Sequence, residues 1–391
     1  MKALMFGWEF PPHISGGLGT ACYGLVQGMN VHKQEVIFVV PKLWGDEEPV
    51  ADFVNASGIT VDYRERRFKK LWKNLTYLEV NSYLIPYLGP QEFKKFTDYS
   101  LHDRTDVAES IFSTNYQFSG KYGKNLMEEV SRYALVGAQI ARDRSDFDII
   151  HAHDWLAYPA GIAAKEISGK PLVVHVHATE YDRSGESVNF PVFEIERAGM
   201  HAADHVVAVS QLTKNICIRK YGIPPEKITV LHNAVLDASI ITSSYQKKVP
   251  EKIVTFLGRI TYQKGPEYFV EAAKKVIDRD PNVRFVMAGS GDLLTKMVER
   301  VAELRMGNKF HFTGFLKGDD VDHMYAISDV YVMPSVSEPF GIAPLEAVRH
   351  NTPVIISKQS GVAEVLTNAI KIDFWDVDAM ADAIFGLLHY H

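Results

Sequence analysis

The stretch of sequence that decides the fold lies in the last sixth of the chain. It reads Glu338-Pro339-Phe340-Gly341-Ile342-Ala343-Pro344-Leu345-Glu346. Proline in a helix interior removes a hydrogen bond and clashes with the preceding turn, so Pro344 predicts a helix that begins between Ile342 and Pro344. The backbone N–H groups from Phe340 to Ala343 are then left unpaired at the tip of the helix. Such a tip binds anions and oxygen-rich ligands.

Two carboxylates flank this tip. Glu338 precedes the helix, and Glu346 follows in its first turns, where it could accept hydrogen bonds from a diol such as a ribose. An acidic helix start without any ligand would show the same local pattern, because acidic side chains stabilise helix N-termini. The other motifs of the sequence are needed to distinguish these two interpretations.

Composition and charge exclude several classes of function. A chain of 391 residues predicts two or three domains. Hydrophobic residues make up 46% and the net charge is −6, which argues against nucleic acid or an anionic membrane surface as the main partner. Cys22 and Cys217 have the spacing of neither a disulfide framework nor a zinc site, so we expect a reducing cytoplasm. We find no apolar run of the length of a signal peptide or a membrane span.

The chain begins with a predicted strand, a glycine loop and a helix. Residues 3–6 form the strand, and Thr20 is expected to cap the helix. Glycines in such a loop let backbone amides approach a phosphate or another ligand closely, although any strand-to-helix turn favours glycine. The loop residues concerned are Gly16, Gly17, Leu18 and Gly19.

An aromatic-rich insert obscures the pattern between about residues 44 and 125. Its rings include Trp72 and Tyr77. Aromatic side chains stack on sugar faces, but they more often pack an insert onto its parent domain, and both interpretations stay open.

Regular alternation of strands and helices resumes at residue 126. One apolar strand ends in His153 and Asp154, and the next is followed by His177. Carboxyl ends of parallel strands form the rim at which α/β sheets bind ligands, so we expect these side chains at one site. A core histidine is the usual alternative for each. Asn233 and Gly289 follow later strands in the same way.

A stretch without hydrophobic period, residues 237–251, predicts a domain boundary near residue 245. Strands alternate with helices on both sides of it. The sequence therefore predicts an α/β protein with two Rossmann-like parallel-sheet domains, residues 1–245 and 246–391, and a ligand site between them.

Two cations follow the first strand of the second half. Arg259 and Lys264 suit a diphosphate, because Arg binds phosphate oxygens bidentately and Lys adds a point charge. In a sugar nucleotide the diphosphate is the leaving group, and these cations would stabilise its growing charge. We therefore expect no metal and no other cofactor. The D-x-D spacings at residues 278–280 and 376–378 are interpreted as solvated helix caps.

These motifs, in this order and over almost the whole chain, resemble those of retaining glycosyltransferases with the GT-B fold. The loop at residues 8–11, the motif at 153–155 and the aromatic insert most resemble bacterial and archaeal glycogen and starch synthases and related family 4 and 5 enzymes. The resemblance implies transfer of glucose from UDP-glucose or ADP-glucose to the non-reducing end of an α-1,4-glucan. A transferase to a small sugar, a sugar phosphate or a lipid-linked glycan is the alternative.

The resemblance also implies a role for each matching residue. The groups at the reaction centre and on the diphosphate would be His177, Arg259, Lys264 and Glu338. The amides of Phe340, Gly341 and Ile342 would bind the transferred sugar with Glu338, and Glu346 would bind the ribose. The glycine loop would approach the diphosphate, and the acceptor would face Glu9, His153 and Asp154.

The sequence departs from the family pattern in two places that affect the expected donor and the expected second domain. Ile14 stands where many glycogen synthases carry a lysine, which puts an ADP-sugar preference in doubt. The family continues with helices that cross back onto the first domain, so a second domain that ends at His391 is expected to be short. A sugar-nucleotide epimerase would need further acid and base carboxylates. A non-catalytic sugar-binding protein would not need the two cations.

Overall fold

The structure, a computed structural model, describes residues 1–14, 16–62, 113–123, 125–235 and 247–390. The chain forms two compact units. The first consists of Met1–Glu180, Glu186–Ala208 and Lys214–Leu231, and the second of Tyr181–Gly185, Val209–Thr213 and His232–His391. The predicted boundary at residue 245 lies outside the described residues, as do Trp72 and Tyr77 of the aromatic insert.

The first unit is built on a seven-stranded parallel sheet with the order β3-β2-β1-β6-β7-β8-β9. A separate antiparallel pair joins β4 to β5. The strands are β1 (Lys2–Phe6), β2 (Glu35–Val40), β3 (Asp52–Asn55), β4 (Thr60–Asp62), β5 (Ser113–Asn115), β6 (Ile149–His153), β7 (Leu172–Val176), β8 (His205–Ala208) and β9 (Ile228–Val230). The helices over this part of the chain are α1 (Gly17–Val31), α2 (Leu126–Asp143), α3 (Tyr158–Ser168), α4 (Glu180–Ser184), α5 (Phe190–Ala202) and α6 (Gln211–Tyr221).

The second unit is built on a six-stranded parallel sheet with the order β12-β11-β10-β13-β14-β15. Its strands are β10 (Lys252–Leu257), β11 (Val283–Ala288), β12 (Phe310–Gly314), β13 (Val330–Met333), β14 (Val354–Ser357) and β15 (Ile370–Ile372). Its helices are α7 (Pro266–Arg279), α8 (Leu294–Glu303), α9 (Asp319–Ile327), α10 (Ala343–Arg349) and α11 (Val377–Leu388). The prediction of two parallel-sheet α/β domains is confirmed.

The layered architecture explains why the central strands are apolar along their length. A parallel sheet carries helices on both faces, so its central strands are buried along their length. The residues of β13 are all buried, and so is β2 after its exposed first residue. Helix α7 also packs its apolar side chains inward: Phe269 contacts Phe285 edge to face, with ring centroids 5.5 Å apart.

The strand order defines where a ligand can enter each sheet. In the first sheet the order reverses at β1, which lies between β2 and β6; in the second it reverses at β10, which lies between β11 and β13. Open α/β sheets bind ligands outside the carboxyl ends of the strands at such a switch point. Most of the predicted site residues lie at or after the carboxyl ends of β1, β6, β10 and β13, whereas His177, Asn233 and Gly289 follow β7, β9 and β11.

The helix starts test two predictions. Helix α10 begins at Ala343 with Pro344 in its first turn, as predicted. Helix α1 begins at Gly17, so the prediction that Thr20 caps it is wrong: Gly16 is the N-cap, and the glycines at 17 and 19 lie in the first turn. In the part of the chain that the structure covers, no helix is both long and apolar enough to cross a membrane.

Candidate active site

The loop after β13 holds Glu338 in a buried position, with 6% of its surface exposed. Its Oε2 accepts hydrogen bonds from Lys264 Nζ and from Ser335 Oγ, the latter at 3.0 Å. Its Oε1 has no partner among the described residues. A buried carboxylate with one oxygen fixed and the other unpaired is suited to accept a hydrogen bond from a ligand hydroxyl.

The three residues after Pro339 present a row of unpaired backbone donors. The N–H groups of Phe340, Gly341 and Ile342 make no hydrogen bonds within the described part of the chain. Gly341 has φ of +99°, and a Cβ there would come within 3.1 Å of the Glu338 side chain. A glycine is therefore required for the backbone to turn this close to the carboxylate.

Lys264 ends a short 3₁₀ helix (Tyr262–Lys264), and Gly265 follows in the left-handed region with φ of +63°. A Cβ on Gly265 would lie 2.1 Å from the carbonyl oxygen of Pro334, so only glycine allows this loop to pack against the end of β13. The packing brings Lys264 to Glu338, although the two residues lie 74 positions apart in the sequence.

Arg259, unlike Lys264, has no side-chain partner among the residues that the structure describes. Its side chain is exposed and forms no ion pair within the described residues. The loop that carries it is held by neighbouring backbone: Ile260 N–H donates to the Ser290 carbonyl at 2.9 Å, and a Cβ on Gly289 would lie 1.8 Å from the Gly258 carbonyl oxygen. Gly289, predicted as a ligand contact, therefore has a packing role in this loop.

Glu346 lies on α10 and accepts a hydrogen bond from the hydroxyl of the buried Tyr325 at 3.2 Å. Burial raises the pKa of the Glu346 carboxyl above its usual range, and the Tyr325 hydrogen bond offsets part of this rise. Asn233 lies in the same unit, next to His232, which contacts Glu364 at 2.9 Å. The ligand roles of Glu346 and Asn233 stay predictions.

In the first unit, Glu9 is buried, with 6% of its surface exposed, and it supports the glycine loop. Its Oε1 accepts the N–H of Gly19 at 3.3 Å, which satisfies one of the free donors at the start of α1. A Cβ on Gly19 would come within 2.3 Å of the Ile14 side chain and 3.3 Å of Glu9, so the helix start approaches the loop too closely for any other residue.

Glu9 also lines a shallow, open pocket beyond the carboxyl ends of β1 and β2. The wall includes the indole of Trp44, which has His13 stacked on it at 4.8 Å and Lys42 Nζ 4.1 Å from its ring centre. Other lining residues are Trp8 and Glu47. The pocket thus combines aromatic surface with both signs of charge.

The loops after β6 and β7 bring the predicted residues His153, Asp154 and His177 together. His153 Nδ1 lies 3.0 Å from His177 Nε2. Asp154 Oδ1 accepts the backbone N–H groups of His177 at 2.7 Å and Ala178 at 3.3 Å. His153 is fully buried, whereas His177 is partly exposed. The structure therefore shows His153 in contact with His177, and its acceptor role stays a prediction.

Two more histidines, His151 and His175, complete an array on one face of the sheet. Side chains alternate along a strand, and the register pairs His153 with His175, so positions 151, 153, 175 and 177 point to the same side. Burial lowers the pKa of all four imidazoles, to about 4 for His151 and about 3 for His177. They are neutral at pH 7.

One nitrogen each from His151, His153 and His175 lies within 4.8 Å of the other two, a spacing that a metal could use. The rings are stacked, however: those of His151 and His175 are 3° from parallel, with centroids 5.5 Å apart. Imidazole lone pairs lie in the ring plane, so a single ion cannot lie in both planes. We assign the array to packing of neutral rings.

Several residues of the site were missed from the sequence alone. His151 and His175 share the two-residue spacing of histidines at the ends of their strands, and this spacing could have identified them. Ser335 carried no such signal, and Trp44 was noted only as one of the aromatic residues of the insert. Their proximity to Glu338 and Glu9 depends on loop geometry.

Comparison with known proteins gives the family. Residues 119–237 match the model of glycosyltransferase family 4, and residues 238–390 match that of the glycosyl transferases group 1. An uncharacterized glycosyltransferase of Methanocaldococcus jannaschii is 29% identical over 95% of this chain and 84% of its own length. A glycogen synthase of Mycobacterium tuberculosis is 26% identical over 99% of this chain and 86% of its own length.

A D-inositol 3-phosphate glycosyltransferase of Salinispora tropica is 26% identical over 76% of this chain and 70% of its own length. Among solved structures, that of Anabaena HepE in complex with UDP-glucose has a TM-score of 0.63 at 18% identity, and it covers 100% of this chain and 90% of its own.

Two parallel sheets, each with its polar loops at the switch point, define the GT-B class. Within this class, the chain belongs to the glycosyltransferases that combine a family 4 domain with a group 1 domain.

Proposed function

We propose that the protein is a retaining glucosyltransferase that moves glucose from a nucleoside-diphosphate glucose to the non-reducing end of an α-1,4-glucan. The observation that carries the proposal is the arrangement around Glu338: one oxygen fixed by Lys264 and Ser335, one unpaired, and three free amides directly after it. Hydroxyls of a sugar and oxygens of a diphosphate are the ligands that such carboxylate, ammonium and amide groups take.

The proposed handling of the sugar-nucleotide donor follows from the negative charge of its diphosphate. As the bond to the diphosphate breaks, negative charge grows on the leaving group, and preorganised cations and amides lower the barrier by stabilising it. Arg259 is exposed and unpaired in the described structure, so it can bind a diphosphate without first breaking an ion pair. We therefore propose that turnover needs no divalent metal. UDP-glucose, the ligand of the Anabaena HepE structure, is the first donor to test.

Neutral His177 suits the role that the family resemblance implies for it beside the transferred sugar. With a pKa of about 3 its imidazole carries no charge at pH 7. A neutral ring does not repel an anomeric carbon that becomes positive in the transition state, whereas an imidazolium would. Retention by attack from the same face, with the departing phosphate accepting the proton of the acceptor, is part of this proposal.

Two observations support a glucan acceptor. The Mycobacterium tuberculosis glycogen synthase is similar over 99% of the chain, against 76% for the Salinispora enzyme. The pocket beside Glu9 offers the exposed Trp44 together with carboxylates, and aromatic rings with hydrogen-bond acceptors are suited to a sugar ring.

A second candidate acceptor is a small sugar phosphate or another anionic glycan. Lys42 supports it, because this cation lies in the wall of the same pocket and would be attracted to a phosphate. The Salinispora relative is named for an inositol phosphate acceptor. Ile14, where many glycogen synthases carry lysine, is also compatible with this alternative.

Incubation with a panel of sugar nucleotides tests the proposal. Release of the nucleoside diphosphate is followed for UDP-glucose, ADP-glucose, UDP-galactose and UDP-N-acetylglucosamine, each alone and with glycogen or a hexose phosphate. We expect a glucose donor with glycogen to give the largest acceleration. Acceleration by the hexose phosphate alone would favour the second acceptor, and a preference for a non-glucose donor would refute the proposed substrate.

A further inference from the structure

His153 and Asp154 hold His177 from two directions, and neither contact involves a ligand. Asp154 binds the backbone of the His177 loop through two amides, and His153 binds its ring. Asp154 adopts a left-handed conformation with φ of +60°, which is unfavourable for a residue other than glycine. Such strain persists where the surrounding contacts fix it, and here the contacts fix the loop that carries His177.

The hydrogen bond between the rings of His153 and His177 needs a proton on one of the two nitrogens that face each other. Both imidazoles are neutral, so one nitrogen donates and the other accepts across the 3.0 Å between His153 Nδ1 and His177 Nε2. The other nitrogen of His153 decides which of the two rings donates this hydrogen bond. Nε2 is buried and has no hydrogen-bond partner among the described residues.

A buried N–H without an acceptor is rarer in proteins than a buried acceptor without a donor. The proton of His153 therefore belongs on Nδ1, where it is used, and Nε2 is left as the unpaired acceptor. His153 Nδ1–H then donates to His177 Nε2. His177 in turn must carry its own proton on Nδ1, which has no partner within the described residues.

We propose that His153 is a positioning residue that fixes His177 as the Nδ1–H tautomer and so aims an N–H donor at the transferred sugar. This deepens the proposed function and rests on it for the identity of the ligand. The chemical group recognised is a hydroxyl or ring oxygen of the sugar, which accepts the hydrogen bond. The ring of a free histidine side chain prefers the Nε2–H tautomer, so without His153 the proton of His177 would move from Nδ1 to Nε2, on the side of the ring away from the sugar.

Long-range proton–nitrogen correlation spectra of ¹⁵N-histidine-labelled protein test the tautomer directly and need no substrate. A His177→Gln variant assigns the resonances. In the wild type we expect Nδ1 of His177 to be protonated and Nε2 to have the shift of an unprotonated nitrogen. The opposite pattern would overturn the proposal.

Three variants separate positioning from packing. His153→Leu removes the donor, and His177 should revert to the Nε2–H tautomer. His153→Asn places an amide N–H where Nδ1–H was and should restore the wild-type tautomer. His151→Leu is the matched control: His151 lies in the same array, 4.3 Å from the His153 ring, but makes no hydrogen bond with His177. Circular dichroism verifies folding of each variant.

Kinetics give the second readout. A lost hydrogen bond in the transition state should lower kcat of His153→Leu about tenfold with little change in KM, and His153→Asn should recover most of it. Equal losses in His153→Leu and His151→Leu would show a packing role and overturn the proposal. If no sugar nucleotide is turned over, the proposed function fails, while the tautomer measurement still decides the role of His153.

Discussion

Replacement of Lys264 by Ala is expected to harm the protein in two separable ways. The side chains of Lys264 and Glu338 are 22% and 8% exposed, so the pair is largely screened from water. Without the ammonium, the Glu338 carboxylate stays buried with the Ser335 hydroxyl as its remaining partner. A buried acceptor that loses a partner costs about 1 to 3 kcal/mol of unfolding free energy. Loss of a charge that stabilises the leaving group costs about 10²- to 10³-fold in kcat.

A second substitution separates the two effects. Glu338→Gln in the Lys264→Ala background removes the unpaired charge, so most of the lost stability should return while turnover stays low. Arg259→Ala should lower turnover to a similar extent and change stability by no more than about 0.5 kcal/mol, because Arg259 is exposed and unpaired in the described structure. Lys296→Ala is the matched control: its pair with Glu267 is 63% and 41% exposed and should contribute less than about 1 kcal/mol.

Urea unfolding, followed by circular dichroism, measures the stability term, and release of nucleoside diphosphate measures turnover. If Lys264→Ala unfolds at the same urea concentration as the wild type, the buried pair does not have the energetic role that its geometry indicates. Turnover near that of the wild type in both Lys264→Ala and Arg259→Ala would refute the assignment of these cations to the diphosphate.

Three further predictions concern metal, pH and acceptor. Excess EDTA should leave most of the turnover in place, because protein cations compensate the charge of the diphosphate; abolition by EDTA and recovery with Mg²⁺ or Mn²⁺ would contradict this. Unfolded His151 takes up a proton below pH 6.5, but the folded state does so only near pH 4, so the unfolded state binds more protons in this window and His151 by itself should lower stability by about 3 kcal/mol from pH 7 to pH 4. His151→Leu should flatten that decline in a urea titration, and an unchanged slope would show that other groups dominate. Trp44→Ala should raise KM for the glucan without changing slow hydrolysis of the sugar nucleotide by water; an unchanged KM would place the acceptor elsewhere.

The fold was predictable because its signals are local. Apolar runs followed by glycine or polar residues identify parallel strands, and Pro344 placed the start of α10 correctly. The predicted start of α1 was wrong because Gly16 and Gly17 are weak sequence signals of a helix start. The close packing of Gly19 on Ile14 and Glu9, which decides this helix start, depends on tertiary contacts.

The sequence proposes a set of candidate site residues, but it does not reveal the contacts among them. The sequence places Lys264 and Glu338 in separate motifs, and the adjacency of β10 and β13, with Gly265 packed on Pro334, brings them into one ion pair. The contact of His153 with His177 depends on the pairing of β6 with β7, and the sequence did not predict it; the acceptor role of His153 stays a prediction. Strand pairing is a long-range property, so a single sequence does not reveal such contacts.

The most direct test of the proposed activity is extension of a defined maltooligosaccharide. Purified protein is incubated with UDP-glucose or ADP-glucose and maltoheptaose, and the products are separated by length and digested with an α-1,4-specific amylase. We predict a ladder of longer chains that the amylase degrades completely, and no ladder with Arg259→Ala. The absence of longer chains with either glucose donor, or a ladder resistant to the amylase, would contradict the proposed transfer to an α-1,4-glucan.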